Sequence, residues 1–285
     1  MTPHAPGPTF TQHPAVVVRR LVRTRAYDVP PGAAFVAMAR FGYLEGAFFD
    51  PAAGAGPVSV YVERGSLTFH AQGAVGVGRA DGAVEPIPVG SAFTLTAGDR
   101  LLMPGGVIHD ARSNGPGPAS TLGVAIFAGA PAQEFPPGVT FHPLAVTQSF
   151  SLPPGYAMVT LERLHFENGA HEGGRAAPGV ELAHVESGSL ALRVYDGEAR
   201  VSRAASGPFA PPEVVTRGEA ILGPGDSVVA EVGISAGLYA AQGPATVLRA
   251  VVEPVPGYRP PPLPEADAPQ PEPEKGGKKP GRGRG

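Results

Sequence analysis

The sequence predicts an all-β protein built from two similar barrels in tandem, and three observations carry that prediction. The first is an internal repeat: PPGAAFVAMARFGYLEGA (Pro30 to Ala47) aligns without a gap on PPGYAMVTLERLHFENGA (Pro153 to Ala170) at an offset of 123. The same offset carries VERGSL onto VESGSL, and 15 of the 38 positions from Pro30 to Leu67 are identical in the second copy. Self-similarity at a fixed offset means that one structural unit has been laid down twice. The second is composition: 40 Gly and 35 Pro punctuate short runs of Val, Leu, Phe and Thr, the pattern of antiparallel strands joined by turns. The third is that no segment sustains a helical hydrophobic period.

Taken in order, residues 1–15 are too rich in Pro and polar residues to form an element and are expected to be a disordered extension. Residues 16–145 are expected to form the first barrel. Within it GVGVGRADG, near Gly73 to Gly82, has no helix after it and is expected to be a hairpin or loop rather than a phosphate cradle. Gly98-Asp99 opens an apolar run, and TLGVAIF closes the unit as a strand. Residues 146–256 repeat the plan, with Gly225-Asp226 and the closing strand TVLRAVV. Residues 257–285 hold all three lysines and one aromatic residue, Tyr258, so this tail is expected to be disordered.

Bulk properties exclude several functions. A net charge of -3 gives no basic field for nucleic acid and no attraction to anionic membranes. Zero cysteines exclude disulfides, thiolate nucleophiles and thiolate metal sites. The Arg19-Arg20 pair has no apolar stretch of signal-peptide length behind it, and no run is long enough for a membrane helix, so a cytoplasmic location is expected. No serine-hydrolase, zinc-protease or nucleotide-binding motif stands in the strand and helix context it needs.

The segment GDRLLMPGGVIHDARSN, with Gly98, Pro104, Gly106, His109 and Asn114 in their places, resembles the second motif of the cupin superfamily. VERGSL and VESGSL, each followed by a Gly-Asp turn and a closing strand, extend the resemblance over about Val16 to Pro254. It implies two tandem double-stranded β-helix (jelly-roll) barrels, a bicupin. It also implies a divalent metal held by two histidines and a glutamate of a first motif and one histidine of the second, the site used by cupin oxygenases and isomerases.

The residues at those positions depart from the pattern. In the second copy GGRAAPGVELAHVESG puts Arg175 and Ala177 at the two histidine positions and Glu181 at the glutamate position, and Ala236 stands where the last histidine would be. In the first copy Ala52, Gly54 and Val58 fill the first three positions and only His109 remains. One ligand in each barrel cannot make a metal site, so no metal and no cofactor are expected. His165 and His171 are the candidates for rebuilding a site with Glu181. His184 is an odd number of residues from Glu181, and Tyr61 from the inward set Val58, Val60 and Val62, so both are expected to face away from the barrel interior, at the surface or an interface. His70 is expected at the surface.

His109 is expected either to hydrogen-bond a backbone group in the barrel mouth or to contact a ligand. Arg175 is expected to be solvent-exposed, with pairing to Glu181 across the second mouth or bidentate binding of an anion by Arg175 as the alternatives. The expected function is therefore a metal-free bicupin-like protein that binds a small molecule or serves in assembly without catalysis, with His109, Arg175 and Glu181 as the binding candidates. The alternative is a metal-dependent cupin oxygenase or isomerase with a rebuilt site. A homodimer through exposed sheet faces is compatible with this reading; nucleic-acid and membrane partners are not expected.

Overall fold

The computed structural model describes residues 15–29, 32–53, 56–128, 135–147, 150–152, 155–207 and 210–255. The expected disordered extension and tail lie outside these residues, apart from Ala15 at the edge of the first. The first repeat contributes β1 (Val16–Val29), β2 (Gly32–Tyr43), β3 (Phe48–Ala53), β4 (Val58–Arg64), β5 (Ser66–Ala71), β6 (Val75–Gly78), β7 (Val84–Ile87), β8 (Ala92–Thr96), β9 (Arg100–Met103), β10 (Ile108–Ser113) and β11 (Ala119–Phe127). The second contributes β12 (Val139–Val146), β13 (Phe150–Leu152), β14 (Gly155–Phe166), β15 (His171–Ala176), β16 (Val180–Ser187), β17 (Leu190–Asp196), β18 (Glu198–Ser202), β19 (Glu213–Thr216), β20 (Glu219–Leu222), β21 (Ser227–Ala230), β22 (Ser235–Tyr239) and β23 (Ala245–Val255). Among the described residues the helical content is a single 3-10 turn at Ala204–Ser206. The protein is all-β, and no described helix is long and apolar enough to cross a membrane.

Each half is a large sheet packed on a four-stranded one. In the first half the large sheet runs β12-β2-β11-β4-β9-β6-β7, with β13 also on β2, and the small sheet runs β3-β10-β5-β8. In the second the orders are β1-β14-β23-β16-β21-β18-β19 and β15-β22-β17-β20. Val60, Val62, Leu67, Phe69, Leu95 and Leu101 fill the space between the first pair of sheets. Leu164, Val185, Leu190, Leu192, Val201 and Val247 do so in the second. The inward placement of Val58, Val60 and Val62 follows from strand alternation and is what the structure has. Val75–Gly78 and Val84–Ile87 pair as a hairpin, as the glycine-rich segment predicts.

The domain boundaries read from the sequence miss one feature. β1 pairs with β14 of the second repeat, Val17 opposite His165 and Arg19 opposite Arg163. β12 pairs with β2 of the first, Thr140 opposite Gly42 and His142 opposite Arg40. These registers extend the offset of 123 to β1 and β12, so each repeat lends its first strand to the other's sheet. Residues 16–29, expected in the first barrel, therefore lie in the sheet of the second. The two large sheets face each other across a shared core that includes Leu21, Met38, Leu122, Leu144, Leu161, Leu182 and Leu248, all buried. Tyr61 belongs to this core, and His184 hydrogen-bonds the carbonyl of Leu144 at 3.2 Å, so both sit at the interface between halves.

Two repeated signatures have structural causes. The Gly-Asp turns tie β4 and β16 down by backbone bonds, Gly98 and Asp99 to Val62 and Gly225 and Asp226 to Val185. The aspartate side chains hold the turns: Asp99 accepts from the backbone N–H groups of Thr96 and Ala80 and from Arg79. Asp226 accepts from Gly223, Ala204 and Arg203 in the same way. Burial alone would raise both carboxyls, but these donors hold them below the usual aspartate range. The glycine of VERGSL and VESGSL has positive φ in both copies, 77° at Gly65 and 79° at Gly188. A Cβ at Gly188 would stand 2.4 Å from the carbonyl oxygen of Pro244. Gly188→Ala is expected to cost at least about 1–3 kcal/mol from the left-handed backbone alone, measured as a lower midpoint in urea unfolding.

Candidate functional site

The four positions that the cupin resemblance marks in the second half come together. Arg175, Ala177, Glu181 and Ala236 line one small pocket of about 40 Å³ inside the barrel, with Glu172 beside them. β15 supplies Arg175, β16 supplies Glu181 and β22 supplies Ala236. Glu181 faces inward because its strand neighbours Val180 and Leu182 point the other way, into the core shared by the halves.

Behind the pocket's two carboxylates stands a cation outside the sequence-derived set. Arg249, on β23, places Nη1 2.6 Å from Oε1 of Glu172 and 3.8 Å from Oε1 of Glu181, and Nη2 2.7 Å from Oε2 of Glu162. Its side chain is 11% exposed and that of Glu162 is 6% exposed. Burial works against the charge on Arg249, but Glu181, Glu162 and Glu172 reverse it and raise the guanidinium above its ordinary value. Burial pushes the Glu181 carboxyl up, against the pull of Arg249. Arg20 reaches the other oxygen of Glu162 at 3.3 Å. Arg175 is exposed at the mouth, as expected; the ion pair of Glu181 is with Arg249, at 3.8 Å, rather than the alternative one with Arg175.

The equivalent region of the first half is apolar and aromatic. His109 stacks on Phe49 with ring centroids 6.1 Å apart, and its Nδ1 lies 3.1 Å from the carbonyl of Val107. Burial holds its pKa below the ordinary histidine value. Phe135 packs on Phe41, Phe49 and Phe141. His109 stands opposite Ala52 in the ladder, and Gly54 lies outside the described residues. Asn114 follows the end of β10 and donates to Thr68 Oγ1 at 2.6 Å.

Among the described residues neither set fits a divalent metal, which needs three or four N/O donors converging at about 2.0–2.2 Å. The first barrel offers His109 among apolar groups, and the second offers Glu181 faced by a guanidinium. The rebuilding candidates do not converge either: His165 hydrogen-bonds Thr246 on the other side of β14, and His171 is exposed. His70 is a surface residue, 3.1 Å from the carbonyl of Gly90.

A second and larger space lies between the halves. An open groove of about 720 Å³ has Arg40, Glu63, Arg163 and Glu186 on its floor, with Arg64, His142 and His165 around it. The floor is a closed ion-pair ring made of two repeat-equivalent pairs. Arg40 holds Glu63 at 2.7 Å and Glu186 at 2.7 Å. Arg163 holds Glu63 at 2.7 Å and Glu186 at 2.6 Å.

No family model and no curated protein matches this sequence. Among solved structures the chain is similar to a cupin 2 conserved barrel domain protein from Leptotrichia buccalis, at 15% identity over 86% of this chain and 92% of that one, with a TM-score of 0.35. It is similar to oxalate decarboxylase from Lactobacillus farciminis in a formate complex, at 12% identity over 82% and 86%, TM-score 0.41. Vicilin from Corylus avellana (hazelnut) is a third, at 10% identity over 80% and 83%, TM-score 0.41.

Proposed function

We propose that the chain is a metal-free, non-enzymatic double-barrel protein of cupin-like type, which binds a small polar molecule. The observation that carries this is the donor set: the positions where a metal would be gripped converge in the second barrel, and they bring together Arg175, Ala177, Glu181 and Ala236, with Glu181 already faced by Arg249. With about 40 Å³, that pocket has room for a few water molecules at roughly 10–15 Å³ each. It is too small for a ligand of ordinary size. The groove between the halves has a volume in the range of small-molecule sites, on the order of 300–1,000 Å³, and a wall made of Arg64, His142 and His165. An anion bearing carboxylate or phosphate groups is the ligand class these donors suit.

Elemental analysis of protein purified without chelator tests the first half of this reading. Less than a tenth of an equivalent of Fe, Mn, Ni or Zn is expected in a cooperatively folded sample. One equivalent would overturn the reading and return the oxygenase or isomerase alternative.

A further inference from the structure

We propose that Arg249 is a built-in cation that takes the place of a metal ion in the second barrel, with the carboxylates of Glu162, Glu172 and Glu181 as its cage. This rests on the metal-free reading and goes beyond it, because it says what replaced the ion and which residues hold it. The geometry is that of a cation held by several acids. Three carboxylates from three strands, β14, β15 and β16, approach one guanidinium at 2.7, 2.6 and 3.8 Å. The two close ones bond separate nitrogens, as charge-assisted hydrogen bonds to a forked cation do.

The two halves of the chain provide an internal comparison that supports the same conclusion. Strand registers make Gly123 the counterpart of Arg249, since Gly123 stands opposite Ala39 as Arg249 stands opposite Glu162. The offset of 123 makes Ala39, Phe49 and Val58 the counterparts of Glu162, Glu172 and Glu181. Where the arginine is absent, all three carboxylates are absent as well. Surface charges that merely tolerate one another have no reason to be gained or lost as a set of four. A buried cation and its counter-ions do, because either part alone leaves uncompensated charge inside the barrel.

If the guanidinium substitutes for an ion, removing it leaves a cage of oxygen donors with unbalanced negative charge. Such donors suit hard divalent cations such as Mn²⁺. The test is Arg249→Met, stripped with chelator and titrated with MnCl₂ by calorimetry and thermal melting beside the unmodified protein. The variant is expected to melt lower and to take up one equivalent of Mn²⁺. At about a hundredfold excess over Kd its melting temperature should rise by roughly 5–10 °C. The unmodified protein should show no shift, and Arg249→Met with Glu181→Gln should lose the response. A variant that folds but binds no Mn²⁺ overturns the proposal while leaving the metal-free reading intact. Saturable Mn²⁺ binding by the unmodified protein overturns the reading itself. Should Arg249→Met fail to fold, the triple variant Arg249→Met, Glu162→Gln, Glu172→Gln decides: it is expected to fold and to melt above the single variant, and equal failure of both overturns the proposal.

Discussion

Leu182→Ala is expected to lower the stability of the whole molecule by about 2–5 kcal/mol, the range for removing a large aliphatic side chain from a packed core, and to do so in one unfolding transition. Leu182 has 0% exposure and lies in the core between the two large sheets, with residues of both repeats around it. Its loss leaves a cavity bounded by both halves. β1 hydrogen-bonds along β14, and β12 along β2, so neither large sheet keeps all its strands if the other half unfolds. Calorimetry checks this well in a chain that has no tryptophan: one peak, with calorimetric and van't Hoff enthalpies equal, is expected before and after the substitution. Two peaks, with the change confined to the one that belongs to the second repeat, would mean that the halves are independent and that strand exchange does not couple them.

The reading of the sequence succeeded where a local signal had a local cause. Short runs between Gly and Pro became strands, Val58, Val60 and Val62 faced inward, and the positions that the cupin resemblance marks, Arg175, Ala177, Glu181 and Ala236, line one pocket. It missed the exchange of first strands because pairing partners are not a local property. Residues 16–29 and 139–152 share three of 14 aligned residues, Val16/Val139, Leu21/Leu144 and Thr24/Thr147, too few to extend the repeat by eye. It missed Arg249, Glu162 and Glu172 for a different reason: one charge on alternate positions of a strand reads as a solvent-facing residue. β14 held a clue. Leu161 and Leu164 are both apolar, three residues apart on opposite faces, so both faces of that strand are buried. A charge between them, at Glu162, must then meet a counter-charge inside.

Arg163→Met is the substitution with the next largest expected effect, about 2–3 kcal/mol. The arginine bridges both carboxylates of the ring, Glu63 and Glu186, which are 16% and 19% exposed. Its removal leaves Arg40 alone to balance two acids. Breaking a fully buried pair costs about 3–5 kcal/mol, and the partial exposure of Arg40, 32%, reduces that figure by solvent screening. Replacing all four members of the ring by apolar residues is expected to cost less than the single change, because desolvated charge disappears together with its partners. The pH dependence separates this ring from ordinary packing. Burial would raise the Glu186 carboxyl, yet Arg163 and Arg40 hold it below the ordinary value of 4.5. A depressed carboxyl stabilises the fold above its ordinary value, and that stability is lost as pH falls through 4.5 toward the folded-state pKa. Urea unfolding at pH 7 and again below pH 4 should therefore show a gap between the parent and Arg163→Met that narrows in acid. A gap of the same size at both pH values would assign the effect to the lost side-chain packing of Arg163, and the ring would then be a consequence of how the halves pack rather than part of what holds them.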